Sequence, residues 1–172
     1  MIFIGIPHLL LIADCFPDLQ VLDLNNLYGI TGEGMCHVLR RCCNIRHLNL
    51  VCCSRLELRG INFEVPKLEV LNLSETMVDD ETLHVISKSC RGLLQLLLKK
   101  CYHVTDKGVK HVVENCTQLT EINLRHCFQV HANVIVSMVF SRPSLKKINV
   151  PVLYHISQQE RELLSRQGCL VC

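Results

Sequence analysis

The sequence predicts an α/β solenoid in which short parallel strands and helices alternate along a repeated unit. Three observations carry this prediction. Segment 90–115 can be laid over segment 116–141 in one register. Both contain a Leu-x-x-Leu-x-Leu type pattern, and the first continues into Val-Thr-Asp at residues 104–106. The matched pairs are Cys90 and Cys116, Leu93 and Leu119, Leu96 and Ile122, Leu98 and Leu124, and Cys101 and Cys127.

The same template extends over the rest of the chain. The matching residues are Cys15, Leu19, Leu22, Leu24 and Leu27, then Ile45, Leu48, Leu50 and Cys53, then Leu68, Leu71, Leu73 and Thr76, and finally Leu145, Ile148, Val150 and Leu153. We therefore predict one leucine-rich repeat domain over 1–168, a right-handed βα horseshoe of the ribonuclease-inhibitor-like type with about six repeats. The predicted repeats lie near 15–41, 42–64, 65–89, 90–115, 116–141 and 142–165, and residues 166–172 form a short C-terminal tail.

The strand of each repeat follows from its alternation. Leucines at every second position occupy one face, as a short buried parallel strand requires. Between them lies a column of polar residues that we expect on the concave side, and we interpret it as repeat consensus. The column comprises Asp23, Asn49, Asn72, Asn123 and Asn149.

The helices follow from capping residues and apolar spacing. Thr105 or Asp106 can cap one helix, whose valines pack inward. Segment 157–160 is a capping box that opens a last helix ending near Arg166. His131 occupies the cap position of the fifth repeat and should weaken that helix start. Segment 54–66 contains Gly and Pro without helical spacing, so we expect a loop there.

Composition agrees with a single domain of 172 residues. A net charge of +2 offers no reason to expect nucleic acid or a membrane as partner. The apolar start lacks a positively charged region and is interrupted by Pro7, which disfavours a secretory signal.

Twelve cysteines require an explanation. Six of them occupy repeat columns that also accept Leu27 or Thr76, which favours reduced core thiols in an intracellular protein over disulfides in a secreted one. The six are Cys15, Cys53, Cys90, Cys101, Cys116 and Cys127. Zinc is disfavoured because Cys169-x-x-Cys172 has no second pair of the same spacing.

Catalytic motifs are missing as well. His103 lies near Cys101, and His126 precedes Cys127, but these cysteines are expected to point into the core, whereas a nucleophilic thiol needs an exposed, electropositive pocket. We find no phosphate-binding loop and no paired carboxylates. The sequence therefore predicts a protein that is not an enzyme and uses no cofactor or metal.

Residues 90–106 carry a family resemblance. Their pattern, Cys-x-x-Leu-x-x-Leu-x-Leu-x-x-Cys-x-x-Val-Thr-Asp, resembles the cysteine-containing class of leucine-rich repeats found chiefly in F-box/LRR proteins, including those of plants. The resemblance covers roughly residues 9–157. It implies that the repeats recognise a protein substrate for an SCF-type (cullin/F-box) ubiquitin ligase that feeds proteasomal degradation in the cytoplasm or nucleus.

The family's F-box is missing from this sequence. Residues 1–14 do not resemble one, and residues 9–14 match the helix end of a preceding repeat. We expect either a fragment or a shortened relative, with a Skp-type adaptor as partner only if an F-box lies upstream. The alternative is an autonomous LRR scaffold or inhibitor without a role in ubiquitin ligation.

We predict that the partner binds the concave face. Six basic or potentially basic side chains on the later repeats favour an acidic or phosphorylated segment, although lysines at exposed strand ends also serve solubility. The candidate residues are Arg46, His47, Glu69, Lys99, Lys100, Arg125, His126, Lys146 and Lys147.

The C-terminus has the form of a prenylation box, with Cys169 fourth from the end followed by two aliphatic residues. We expect membrane association only if Cys169 is prenylated. The alternative is a frayed tail.

Overall fold

The structure is a computed structural model that describes residues 5–56, 64–151 and 157–172. Within these ranges the strands form one parallel sheet in chain order, and a helix follows most of them, which is an α/β architecture. The strands are β1 (Val21–Asp23), β2 (His47–Asn49), β3 (Val70–Asn72), β4 (Gln95–Leu97), β5 (Glu121–Asn123), β6 (Lys147–Asn149) and β7 (Leu170–Val171). The helices are α1 (Ile6–Cys15), α2 (Gly32–Arg41), α3 (Asp80–Ser89), α4 (Asp106–Asn115), α5 (Ala132–Ser141) and α6 (Gln158–Arg166).

The middle residue of each three-residue strand, and Val171 of the two-residue β7, point into the core. These residues are paired in register across the sheet, and all are buried because the period-two alternation places them on the helix side. The row consists of Leu22, Leu48, Leu71, Leu96, Ile122, Ile148 and Val171. The predicted strands are therefore confirmed, and β7 is an addition to them.

A left-handed residue turns the chain after each of the first five strands. At Asn26, Cys52, Glu75, Lys100 and His126 the φ angle lies between 60° and 65°. The side chains of the polar column, at the end of each strand, stabilise this turn by hydrogen bonding. For example, the Asn72 Oδ1 accepts from the backbone N–H of Ser74 at 3.1 Å, as Asn and Asp side chains commonly do in turns. This column therefore has a structural role in the turn, in keeping with its interpretation as repeat consensus.

The cysteines that follow these turns form a ladder between repeats. The Sγ atoms of Cys53, Cys101 and Cys127 lie 3.3, 3.1 and 3.0 Å from backbone carbonyl oxygens of the preceding repeat. Thr76 fills the same column, and its Oγ1 donates to the carbonyl of Leu73 at 2.6 Å. A small side chain with one donor satisfies this buried position, which explains why the column accepts both residue types.

The expected burial of the six column cysteines is confirmed at Cys53, Cys90, Cys101, Cys116 and Cys127 and is wrong at Cys15. Cys15 is the last residue of α1 and is exposed. Phe16 caps the C-terminus of α1, in the same way that Cys90 and Cys116 cap the C-termini of α3 and α4. Phe16, and not Cys15, therefore corresponds to Cys90 and Cys116, so the predicted alignment is displaced by one residue at this position.

Helix starts are linked from one repeat to the next. Thr105 caps α4, as predicted, by accepting from the N–H of Lys107. The Asp80 carboxylate also accepts from the Thr105 N–H and Oγ1 at 2.9 and 2.6 Å. His131 caps α5 without a side-chain hydrogen bond to that helix, and instead both its N–H and Nδ1 bind Asp106. Asp106 therefore holds His131 in place, while α5 still begins without a side-chain cap, as the sequence predicts.

The last segment differs from the predicted tail. Helix α6 has its capping box at Ser157 and ends at Arg166, as expected. Gly168, with a φ of 73°, then reverses the chain so that β7 pairs with β6. Cys169 and Val171 are buried, so apolar burial holds the end of the chain in the sheet. Most of the loop predicted within 54–66 lies outside the described residues. Leu153, the last residue of the predicted repeat pattern, lies outside them as well.

Gly108 marks the closest approach of α3 and α4. A Cβ atom there would lie 2.4 Å from the Asp80 Oδ1 and 2.9 Å from the Leu83 Cδ1. We expect Gly108→Ala to lower the free energy of unfolding by roughly 1–3 kcal/mol, because overpacking exceeds the gain of about 1 kcal/mol in helix propensity. Urea denaturation measures the effect, and Lys110→Ala on the exposed side of the same helix is the control. A more stable Gly108→Ala protein would contradict this packing.

Candidate protein-binding surface

The solvent-facing side of the sheet, here called the strand face, corresponds to the predicted concave face. Two columns of side chains point outward from its strands. One column is formed by Val21, His47, Val70, Gln95, Glu121 and Lys147, and the other by Asp23, Asn49, Asn72, Leu97, Asn123 and Asn149. The apolar members of these columns are Val21, Val70 and Leu97, on β1, β3 and β4, and Leu170 of β7 lies beside Lys147 in the first column, whereas β5 and β6 present only polar and charged side chains there.

The apolar part of the strand face forms a depression of about 270 Å³ over β1–β4. Its apolar walls are formed by Val21, Val70 and Leu97, of which Val21 is 62% exposed. The imidazole of His47 lies among them. A concave, mostly apolar surface with a few polar groups is typical of a binding site. The sequence-based prediction names His47 but not Val21, Val70 or Leu97, because it considers charged and polar side chains on this face. The signal was present: Leu97 interrupts a column that is otherwise Asn or Asp.

Most charged residues predicted for partner binding are paired with one another or with a neighbouring strand. Arg46 forms an ion pair with Glu69. Lys100 lies 3.1 Å from Glu75, and Lys147 lies 2.8 Å from Glu121. Hydrogen bonding to Lys100 lowers the pKa of Glu75, and the same bond raises the pKa of Lys100. These exposed pairs balance the charge of two lysines that the sequence assigned to a basic patch.

The predicted basic patch is divided between the two ends of the strands. Lys99, Lys100, Arg125 and His126 follow β4 and β5, whereas Lys146 and Lys147 lie at the start of β6. Four residues of extended chain separate these ends by roughly 13 Å. The Lys146 ammonium group also donates to the Pro143 carbonyl at 3.2 Å. The structure thus brings Lys99 and Arg125 together, on adjacent repeats, and keeps Lys146 apart from them.

The predicted prenylation residue lies in the core. Cys169 is buried, and burial raises the pKa of its thiol. The residues after it belong to the sheet, since the N–H of Cys172 donates to the carbonyl of Ile148 at 2.9 Å. Prenylation of Cys169 therefore requires β7 to leave β6.

The thiols that lie near histidines in sequence are unsuited to nucleophilic chemistry. Burial raises the pKa of Cys101 to about 11 and that of Cys127 to about 12, which keeps both thiols protonated at neutral pH, whereas the thiolate is the nucleophile. Among residues 5–56, 64–151 and 157–172, no three His, Cys, Asp or Glu side chains form a group that could hold a metal ion. Within the same ranges, no helix has the length and apolar character that a membrane crossing requires.

Comparison with known proteins defines the fold. No protein-family model matches the chain. One similar structure is a chain of the yeast Rad7–Elc1 complex, with a TM-score of 0.63 and 17% identity over 81% of this chain. This chain spans 37% of the length of that matched chain.

Two further structures match over most of their own length. The C-terminal domain of Caenorhabditis elegans tropomodulin matches with a TM-score of 0.58 and 14% identity, covering 96% of this chain and 92% of the other. Actin-binding site 2 of leiomodin-1 matches with a TM-score of 0.54 and 15% identity, covering 93% and 85%. At these identities, the similarity shows that the chain shares the α/β fold of these proteins, with its parallel sheet and alternating helices.

Proposed function

We propose that this chain is a leucine-rich repeat module, a right-handed βα horseshoe of about six repeats, that binds a partner protein on its strand face. The observation that carries this proposal is the apolar depression over β1–β4. Val21 is exposed, and Val70 and Leu97 are half-buried. A partner that removes the accessible parts of these apolar side chains from water stabilises the complex.

The similar structures support protein binding as the class of function. Rad7 was solved in a complex with a second protein, Elc1. The leiomodin-1 structure is named as an actin-binding site. Both names describe those proteins, and they make protein recognition a reasonable use of the same fold here.

We further propose that the module is the substrate-recognition part of an SCF-type ubiquitin ligase in the cytoplasm or nucleus. This step rests on the resemblance of residues 90–106 to the repeats of F-box/LRR proteins. In this role the chain binds its substrate and performs no chemistry itself. A Skp-type adaptor joins the complex if an F-box lies upstream, and membrane association follows only if Cys169 is prenylated.

An autonomous LRR scaffold or inhibitor is the second candidate. The observation in its favour is that this chain covers 92% of the tropomodulin C-terminal domain. A unit of this size therefore exists as a domain of a protein whose name does not refer to ubiquitin ligation. Affinity purification of the product of the endogenous locus separates the two candidates. Co-purifying Skp-type adaptor and cullin support the ligase role, and their absence beside a captured partner supports the scaffold.

Leu97→Glu tests the strand face directly. A carboxylate at this position is expected to reduce capture of the partner at least about tenfold, which corresponds to roughly 1.4 kcal/mol. Cross-linking followed by quantitative mass spectrometry measures the captured protein. Leu163→Glu, an exposed leucine on α6, is the matched control and should leave capture unchanged. Equal capture by both variants, with unfolding midpoints like that of the wild type, would refute binding at the strand face.

A further inference from the structure

Three exposed apolar side chains form a row along the edge of the sheet where the strands end. Met77, Tyr102 and Phe128 each follow the buried column of Thr76, Cys101 and Cys127 by one residue, and they are 55%, 48% and 51% exposed. The row lies on three successive repeats, so the three side chains are neighbours. Together with Lys99 and Arg125, we call it the edge surface.

The edge surface is held in place by the packing beneath it. The rings of Tyr102 and Phe128 are stacked, with centroids 6.0 Å apart and planes inclined by 8°. His126 packs edge-on against Phe128 at 5.8 Å, and the carbonyl of Tyr102 accepts from the Gln129 side chain at 2.6 Å. Because these groups are already ordered, a partner loses little affinity to fixing them.

The edge surface carries two cations that have no direct ion pair. No side chain in the described ranges forms an ion pair with Lys99 or Arg125. A carboxylate charge that does act on Lys99 is that of Glu75, whose direct partner is Lys100 and whose pKa the charge of Lys99 also helps to lower. Lys99 and Arg125 occupy equivalent positions on adjacent repeats, and adjacent strands lie about 4.8 Å apart. The two cations can therefore meet two acidic groups of one extended segment.

The nearby carboxylates are occupied elsewhere. Asp106, four residues after Tyr102, accepts from the N–H and the imidazole of His131. Asp80 accepts from the N–H and hydroxyl of Thr105. Since both carboxylates bind groups at helix starts, they are not available to pair with Lys99 or Arg125.

We infer that the edge surface binds an acidic segment of a partner protein in which aromatic or aliphatic side chains alternate with carboxylates. The apolar side chains would pack on Tyr102, Phe128 and Met77 while the carboxylates pair with Arg125 and Lys99. Tyr, Phe, Met and Arg are the residue types enriched in protein interfaces. This inference rests on the proposed function as a protein-binding module and specifies the chemistry of the partner.

Single-stranded nucleic acid is the less suitable occupant. It is held by a groove of several cations that follows the phosphate backbone, with bases stacked on open aromatic faces. The edge surface offers two cations without an ion pair within the described residues, and its two rings are already stacked with each other.

Fluorescence anisotropy with defined probes tests the inference. The probes are a short Glu-rich peptide with Phe at intervals, the same peptide with Lys in place of Glu, and an oligothymidine. We expect saturable binding of the Glu/Phe peptide and a loss of roughly tenfold in affinity for Arg125→Glu, as truncating an interface anchor typically causes. Phe128→Ser should weaken binding similarly, whereas Arg91→Glu and Phe140→Ser, both exposed elsewhere, should not.

Several results would overturn the inference. These are equal binding of the Lys/Phe peptide, absence of saturable binding, and unchanged binding by the edge variants. Preferred binding of oligothymidine would assign the surface to nucleic acid instead. Lys99→Glu provides a second variant if Phe128→Ser fails to fold. If Leu97→Glu abolishes partner capture while all edge variants retain capture and peptide binding, the proposed function stands and the edge assignment is wrong.

Discussion

Replacing Ile122 with alanine is expected to lower the free energy of unfolding by about 2–5 kcal/mol, the range for deleting a large aliphatic side chain from a core. Ile122 is 0% exposed and occupies the buried row of the sheet. It pairs in register with Leu96 on one side and Ile148 on the other. The close packing on both sides leaves little room for the neighbours to collapse into the cavity.

The position of Ile122 in the array makes its replacement more damaging than an equivalent change at the end. In stacked repeats, stability is approximately a sum of intrinsic terms and contacts between neighbours. A central residue contributes to two such contacts, whereas Val171 on β7 adjoins β6 alone within the described sheet. Urea denaturation of Ile122→Ala and Val171→Ala should therefore give unequal losses.

A conservative variant distinguishes the cost of a cavity from a general sensitivity of this position to any substitution. Ile122→Val removes a single methyl group and should cost about 0.5–1.5 kcal/mol. The further loss from Ile122→Val to Ile122→Ala corresponds to the same two carbon atoms that Val171→Ala removes. A Val171→Ala loss as large as this matched step would contradict the view that neighbouring repeats determine the stability of this chain.

Stability is also expected to fall steeply above about pH 9 because of the buried thiols. Burial raises the pKa of Cys90 and Cys127 to about 12, and those of Cys53, Cys101 and Cys116 to about 11, from an ordinary value of 9.0. Below pH 9 the thiols are protonated in both states. As the pH rises further, the unfolded chain releases protons that the folded chain retains, so unfolding becomes more favourable.

The size of this effect follows from proton linkage. Each thiol that is ionised only in the unfolded state contributes a slope of about 1.4 kcal/mol per pH unit. The stability that each buried, protonated thiol contributes is fully present below the pKa of that thiol in the unfolded chain, near 9. This stability is lost progressively as the pH rises toward the pKa of the same thiol in the folded chain, near 11 or 12.

Substitution by threonine provides the control for this pH dependence. Thr76 already occupies the same column as Cys101 and Cys127, and its hydroxyl bonds to the same type of carbonyl. Urea unfolding of the wild type and of the Cys101→Thr, Cys127→Thr double variant at several pH values from neutral to about 11 should show a shallower loss in the variant. The titration of lysines and tyrosines is common to both proteins. Parallel stability curves would therefore exclude the thiols as the cause.

The arrangement of the repeats was readable from the sequence because every repeat makes the same local choices. Alternating leucines predict a strand, and a residue such as Thr105 before a run of inward valines predicts where a helix begins. The errors lie where the repetition weakens. At the first repeat, the expected residue type points to Cys15, but the spacing of three residues to the next leucine, as in Cys90 to Leu93, points to Phe16, which the helix end confirms.

The candidate site was less predictable, because pairing between repeats depends on distances that no single repeat contains. The sequence predicts Lys100 and Lys147 in one basic patch, but the structure pairs each with a glutamate of the preceding repeat. The sequence predicts a tail at the end of the chain, but burial of Cys169 and Val171 makes that segment part of the sheet.

The sequence by itself determined the alternation of strand and helix, the residues that fill the core and the direction in which the core cysteines point. These features depend on local periodicity and on residue size, which are visible in one dimension. Only the tertiary structure decided which side chains meet across repeats: the apolar depression around Leu97, the ion pairs that neutralise two lysines, and the stacked rings of Tyr102 and Phe128. The physical reason is that residues one repeat apart become neighbours only after the strands pair in register.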